Sequence, residues 1–233
     1  MVPRGGRLST LALATCECQV YPGPTPVSGA PSYHGRVPPA LLLVPLAYLL
    51  GTFPTAVLVG RAAGHDPTAE GSGNPGASNV YRLAGARAGA VVFAGDLLKG
   101  VLPALAGLAV AGSPFATGLG TAAALGHMFP VTRGFRGGRG VATVAGLMCV
   151  LHPLVSVGQL VVWFAVARLS HRASVASLVI AVALPAALAA VGRPGWEVAA
   201  AGALCLLVIV RHAPNVRRLL TGEERRLDRG GVR

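Results

Sequence analysis

Three short stretches of this 233-residue chain gather residues that could hold phosphate. The first, GSGNPGASNVYR at 71–82, carries the G-x-G-x-x-G spacing of dinucleotide-binding loops. That chemistry requires a strand before the glycines and a helix after them, within a βαβ unit. Here the preceding GRAAGHDPTAE is polar, no strand pattern flanks the loop and Pro75 sits inside the turn, which argues against a nucleotide site. The physics beneath the pattern survives. Gly71 and Gly73 let backbone N–H groups approach an anion, Ser72, Asn74, Ser78 and Asn79 crowd polar side chains beside them, and Arg82 adds a planar fork suited to phosphate oxygens. A plain flexible loop would not need that density of donors.

The second stretch, GHMFPVTRGFRGGRGVAT at 126–143, brings Arg136, Gly137, Gly138, Arg139 and Gly140 together directly before an apolar run that includes Thr143. Exposed amides at a helix N-terminus form an anion site. Positive charge in a membrane-flanking loop would account for Arg133 and Arg136 but leaves the three glycines unexplained. The third, RHAPNVRRLLTGEERRL at 211–227, reads as a basic surface helix. An interfacial anchor for anionic lipid covers its arginines, yet not His212 and Asn215, which are three apart and share a helix face. Asp96 and Lys99, in GDLLKG, interrupt an apolar run. Charges at mid-bilayer cost about 2.5–3.5 kcal/mol on insertion scales, so this pair must lie at an interface, pair at i,i+3 or face a polar site. No His is followed five positions later by Asp, and G-x-S-x-G is missing, so two acyl-transfer nucleophile or base arrangements are absent.

The elements that position these stretches follow from composition. Hydrophobic residues make up 53% of the chain and charged residues 12%, about half the charge of a soluble domain, and mean hydropathy is +0.61. This describes an all-α integral membrane protein. Apolar runs at about 39–60, 86–111, 114–131, 140–153, 154–168, 174–192 and 196–211 give seven transmembrane helices, with the fourth and fifth short and meeting at His152-Pro153. The net charge of +12 is almost all arginine, Lys99 being the only lysine. Arginines concentrate at 61–87, 132–139, 168–173 and beyond 211, which sets the C-terminus in the cytoplasm and the N-terminus outside. A nucleic-acid role for the RGG-like patch is excluded by the hydrophobicity. Residues 1–38, rich in Pro, Gly and Ser, read as a disordered tail or over-extended start, 39–227 as the transmembrane domain and 228–233 as a C-terminal tail. Cys16 and Cys18 lack the second pair or histidines of a zinc site, and Cys149 and Cys205 lie in apolar runs; no metal or cofactor is called for, nor any protein partner.

Together the three stretches and GDLLKG resemble the motifs of the bacterial acyl-phosphate:glycerol-3-phosphate acyltransferases, the PlsY family, in order and spacing from about residue 40 to 227. Two departures stand out: Ser78 takes a position the family usually fills with Thr, and Arg139 replaces the lysine of G-G-K-G. The resemblance implies transfer of an acyl group from acyl phosphate to the 1-hydroxyl of sn-glycerol 3-phosphate at a cytoplasmic site of the cell membrane, without CoA or acyl carrier protein. It implies that Ser72, Arg82, Arg139, His212 and Asn215 carry the chemistry. Substrate contacts are expected from Gly71, Gly73, Asn74, Asn79, Arg136, Gly137, Gly138, Gly140, Thr143, Asp96 and Lys99, with the acyl chain lying among membrane lipid. The competing reading is a small anion transporter or channel; broken, glycine-bearing spans could form a midplane site, but the arginine clusters fall at helix ends and no inverted repeat is evident.

Overall fold

A computed structural model describes residues 39–227, and every α-helix or 3₁₀ turn among them belongs to an all-helical bundle. After a 3₁₀ turn at Pro39–Leu42 come α1 (Leu43–Gly51), α2 (Thr55–Ala62), α3 (Ala77–Met128), α4 (Val141–Leu151), α5 (Pro153–Ser170), α6 (Ala173–Ala190), α7 (Gly195–Arg211) and α8 (Ala213–Leu220). The expectations for 1–38 and 228–233 lie outside the described residues.

As a straight rod, the 52 residues of α3 would run about 78 Å, more than twice the hydrocarbon core. It is instead broken at Gly85 and at Ala111 and Gly112, where backbone angles leave the helical region. Gly112 has φ +76°, which glycine adopts without strain, and Pro114 follows near the start of the next segment, where its missing N–H costs nothing. The expected spans at 86–111 and 114–131 are therefore two arms of this one element. Its first arm, 77–84, is a helix where the sequence suggested only loop. Val80, Ala77 and Ala84 turn inward against Ala56 and Val59 of α2 and against Ala88 and Val92 of the second arm.

By length and hydropathy, Ala40–Ala62, Ala77–Arg133, Pro153–Ser170 and Ala173–Ala190 can cross a bilayer, and α7 reaches the needed length only together with α8, as a pair bent by 53°. The two segments expected to be short differ. At 18 residues α5 is long enough, whereas the 11 residues of α4 reach about 16 Å, half the apolar thickness. Pro153 and Pro214 stand in the first turns of α5 and α8, ending the ladders of α4 and α7.

Small residues set the helix crossings. Gly51 and Gly126 bring α1 onto α3, against the backbones of Ala123 and Tyr48, and Gly100 and Gly146 bring α3 onto α4, against Thr143 and Leu97. Such close approach replaces the hydrophobic drive that helices lose in lipid. Around these crossings Met128, Leu147, Leu184, Leu188, Leu204 and Val208 form the main core. Outward, α5 turns Leu154, Val161, Phe164 and Leu169 to the surface, as a lipid-facing helix does.

A Cβ on Gly100 would collide with the Thr143 carbonyl, while one on Gly158 would meet nothing within 4 Å. Gly100→Ala should therefore lower the thermal midpoint in detergent by the equivalent of about 1–3 kcal/mol, with Gly158→Ala neutral or slightly stabilising. Equal midpoints for the two variants would refute the close-crossing account.

Candidate active site

The three motif stretches meet at one end of the bundle. The first is held by Asn79, near the start of α3. Its Nδ2 donates to the carbonyls of Pro67 (3.0 Å) and Glu70 (3.1 Å), and its Oδ1 accepts from the Ser72 amide (2.9 Å) and from Arg82 Nη2 (3.3 Å). The outer rim of the loop is braced separately. Asp66 accepts from Arg61 and Thr68, and Glu70 accepts from the Asp66 amide and meets His65 Nδ1 at 2.8 Å. The Asp66 carboxyl is held well below the usual range by hydrogen bonds from Thr68 and Arg61, and Glu70 is lowered by His65 and the Asp66 amide.

This geometry revises the backbone-amide reading. The amides of Ser72, Gly73 and Gly76 are spent inside the loop, on Asn79 Oδ1, the Glu70 carbonyl and the Asn74 carbonyl. What the loop leaves unsatisfied are side-chain atoms: Ser72 Oγ and Arg82 Nε are buried with no hydrogen-bond partner. Asn79 is 1% exposed with both donors and both acceptor sites engaged, so its side chain serves the loop and has none left for a substrate.

In the second stretch the glycines serve packing as well. A side chain on Gly137 would strike the His127 carbonyl, one on Gly138 the His127 ring and one on Gly140 the Met128 side chain. The Gly138 amide donates to the His127 carbonyl. Arg211, at the end of α7, donates to the carbonyls of Gly138 (3.2 Å) and Gly137 (2.7 Å) and stacks 5.0 Å above the Phe129 ring. The loop is thus clamped from both sides and presents Arg139, half-buried, just before α4. Burial pulls the Arg139 guanidinium down to about 10; Glu224 opposes that fall, while Arg218, Arg82 and Arg211 add to it. Arg136 is exposed.

The third stretch folds back over the first two. His212, 2% exposed, donates from Nδ1 to the Val208 carbonyl at 2.7 Å, since a carbonyl only accepts; Nε2 is then the lone-pair nitrogen. Past the α7–α8 bend, Gly222 (φ +76°) reverses the chain and returns Glu224 toward α8. Glu224 is 8% exposed and accepts from Asn215 Nδ2 (2.6 Å) and Arg218 Nε (2.8 Å). Burial alone would raise its pKa, but Ser174, Asn215 and Arg218 around it hold it below the ordinary carboxylate value. Asn215 Oδ1 stays buried with no partner. Arg82 lies in electrostatic range of Glu224, Arg225 and Arg218, which joins the first stretch to the third.

Asp96, Lys99 and Thr143 form a second buried cluster. Lys99 Nζ meets Asp96 Oδ1 at 2.6 Å, the i,i+3 pairing that the spacing allowed, and Thr143 donates to the Asp96 carbonyl. His127 Nδ1 stands 3.6 Å from the same carboxylate and supports Gly138 on its other side. These charges brace the glycine loop from beneath. Among the described residues, no group of three metal-ligating side chains converges.

Glu224 is the residue that sequence reasoning missed, with Arg211 and Arg218, which were assigned to lipid. The signal was faint: two acids set among arginines in GEERR, whose partners lie six and nine residues upstream.

Over most of its length the chain is similar to known proteins. Residues 41–222 match the family model described as glycerol-3-phosphate acyltransferase. Glycerol-3-phosphate acyltransferases of Thioalkalivibrio sulfidiphilus and Rubrobacter xylanophilus are 44% and 43% identical, spanning 79% and 80% of this chain and 92% and 94% of theirs. Crystal structures of PlsY (YgiH), an integral membrane glycerol 3-phosphate acyltransferase, superpose with TM-scores of 0.77 (glycerol 3-phosphate form, 39% identity) and 0.75 (lysophosphatidic acid form, 38% identity), each covering 80% of this chain and 94% of that one.

Because folding lowers the Glu224 pKa, the stability it contributes is complete above its ordinary value of 4.5 and is lost as pH falls through the lower folded value. Glu224→Gln should melt several degrees below wild type at neutral pH, with the gap narrowing as the pH falls below that ordinary value. A gap that persists unchanged to pH 3 would show that the carboxylate charge is not what holds α8.

Proposed function

This chain belongs to the glycerol-3-phosphate acyltransferase family, and on that premise we propose that it transfers an acyl group from acyl phosphate to the 1-hydroxyl of sn-glycerol 3-phosphate. The products are lysophosphatidic acid and inorganic phosphate. Relatives in the comparison are named for the acceptor, and the PlsY crystal structures are of its glycerol 3-phosphate and lysophosphatidic acid forms. The donor is inferred from chemistry. Acyl phosphate is a mixed anhydride, already activated, so the reaction needs no enzyme nucleophile, which accords with a site built from arginine, amide and imidazole groups.

The observation that carries the reading is the set of unsatisfied groups in one positive patch. Ser72 Oγ, Arg82 Nε and Asn215 Oδ1 are buried without partners, around Arg82, Arg139 and Arg218 with Glu224 as their carboxylate neighbour. Buried polar atoms rarely go unpaired; phosphate oxygens would satisfy the serine and guanidinium donors, and a substrate hydroxyl would satisfy the Asn215 acceptor. In the step itself the 1-hydroxyl oxygen attacks the acyl carbon, the bond from that carbon to the phosphate oxygen breaks, and inorganic phosphate leaves. The hydroxyl proton passes to His212 Nε2 or to a phosphate oxygen. Arg82 and Arg139 hold the two phosphates in register and stabilise the charge that builds on the leaving oxygen. The glycine loop contributes by placing Arg139 at the start of α4, and Asp96, Lys99 and Thr143 contribute by supporting that loop. The acyl chain lies among the helices and membrane lipid. We place the protein in the cell membrane with this arginine-rich end toward the cytoplasm, where both charged substrates are soluble or leaflet-bound.

Purified protein in detergent or lipid should release phosphate and form lysophosphatidate from palmitoyl phosphate and glycerol 3-phosphate. Failure to turn over acyl phosphate would overturn the donor assignment. Arg82→Ala and Arg139→Ala should each lower kcat/KM by about 10²–10³-fold, the loss typical of one preorganised donor; near-normal activity in either variant would remove that residue from the clamp. For orientation, a reporter fused after residue 233 should signal from the cytoplasm, and an external signal would invert the topology.

A further inference from the structure

Ser72 and Arg82 are ten residues apart, one in a loop and one on a helix, and one side chain touches both. We infer that Asn79 is a positioning residue that sets Ser72 and Arg82 in register for the acyl transfer proposed above, and that it makes no substrate contact itself. This rests on the reading of Ser72 and Arg82 as substrate-holding groups.

The argument begins with the inventory of a primary amide: two donors and two acceptor sites. Asn79 spends all four. Its donors pin the carbonyls of Pro67 and Glu70, which precede Ser72 in the loop. Its oxygen takes the Ser72 amide and Arg82 Nη2 together. Arg82, three residues on, shares the helix face of Asn79, so the helix carries Arg82 while the amide draws the loop to it. With Nη2 held, the guanidinium is fixed in rotation, and its Nε is the buried edge left without a partner. The other braces of the loop, Asp66 with Arg61 and Glu70 with His65, stop short of Ser72 and Arg82. Gly71 gives independent support. It has φ +61°, and a Cβ there would run into Asn79 Oδ1, so the residue before Ser72 is kept bare where the amide oxygen must reach.

The test is steady-state turnover of palmitoyl phosphate and glycerol 3-phosphate by the full-length protein, with thermal midpoints measured in parallel. Asn79→Ala should lower kcat about 10²-fold, the typical cost of a displacement near 1 Å, with KM for glycerol 3-phosphate changed less than threefold. Asn79→Asp keeps the oxygen that takes Ser72 and Arg82 but turns the other contacts into oxygen facing carbonyl. It should therefore melt at or below Asn79→Ala and yet recover at least tenfold of the lost kcat. This inversion of activity against stability is what a merely structural role would not produce. Gly71→Ala, with Asn79 intact, should lower kcat as Asn79→Ala does, while Glu70→Gln, on the outer brace, should leave kcat within twofold of wild type. Activity that follows the melting order across the variants, or unaltered kcat in Asn79→Ala beside an active wild type, overturns the assignment and leaves the acyl-transfer reading standing. A wild-type protein inert toward both substrates overturns both.

Discussion

Two guanidinium charges about 4 Å apart near a protein surface repel by roughly 4 kcal/mol at an effective dielectric of 20. Arg139 nonetheless feels Arg82, Arg211 and Arg218 at once, and Glu224 is the carboxylate that opposes them. One negative charge cannot neutralise such a group. The remainder is a standing positive field at this partly buried end of the bundle, and a phosphate dianion entering it relieves repulsion as well as gaining attraction. Much of the chain's course at this end serves that balance. The 53° bend at Pro214 redirects the chain that carries Asn215 and Arg218, the turn at Gly222 brings Glu224 back to them, and Arg211 is diverted to glycine carbonyls, so part of its charge is spent on structure.

The overall fold was legible because lipid makes it so. In a bilayer, apolar length and flanking arginine constrain a helix more tightly than any propensity does in water, and the break at Ala111–Gly112 falls between the apolar runs expected at 86–111 and 114–131. The miss at 77–84 has a physical cause. Two turns of helix are too short to show periodicity, and this arm is stabilised by Ala56, Val59 and Val92, residues distant in sequence. Length alone did not separate α4 from α5 either, since both carry apolar runs and only the break at His152-Pro153 divides them.

Within the site, legibility stopped at the level of roles. Glycine types and spacing were plain, but a glycine that bares an amide to a ligand looks the same in sequence as one that admits a neighbouring backbone. Here the second use dominates at Gly137 and Gly138, which lie against His127. Asn79 was visible as a donor-rich side chain, yet three of its four partners are backbone groups, which residue identities never reveal. Glu224 was hidden by the opposite problem: its partners are side chains, but they meet it only after the chain reverses. Buried atoms left without partners add what residue types cannot: at Ser72, Arg82 and Asn215 they mark hydrogen-bonding capacity that the fold has not consumed.

The arginine at position 139 fits this balance better than a simple exchange of one cation for another would suggest. Burial among three other arginines draws its guanidinium down to about 10, which still leaves it charged at neutral pH. Residue 139 keeps its charge because delocalisation makes a guanidinium hard to deprotonate. The planar fork is the second consequence. An ammonium acts as a point charge, whereas a guanidinium can hold two oxygens in a plane, which suits Arg139 to the phosphate-holding role proposed for it.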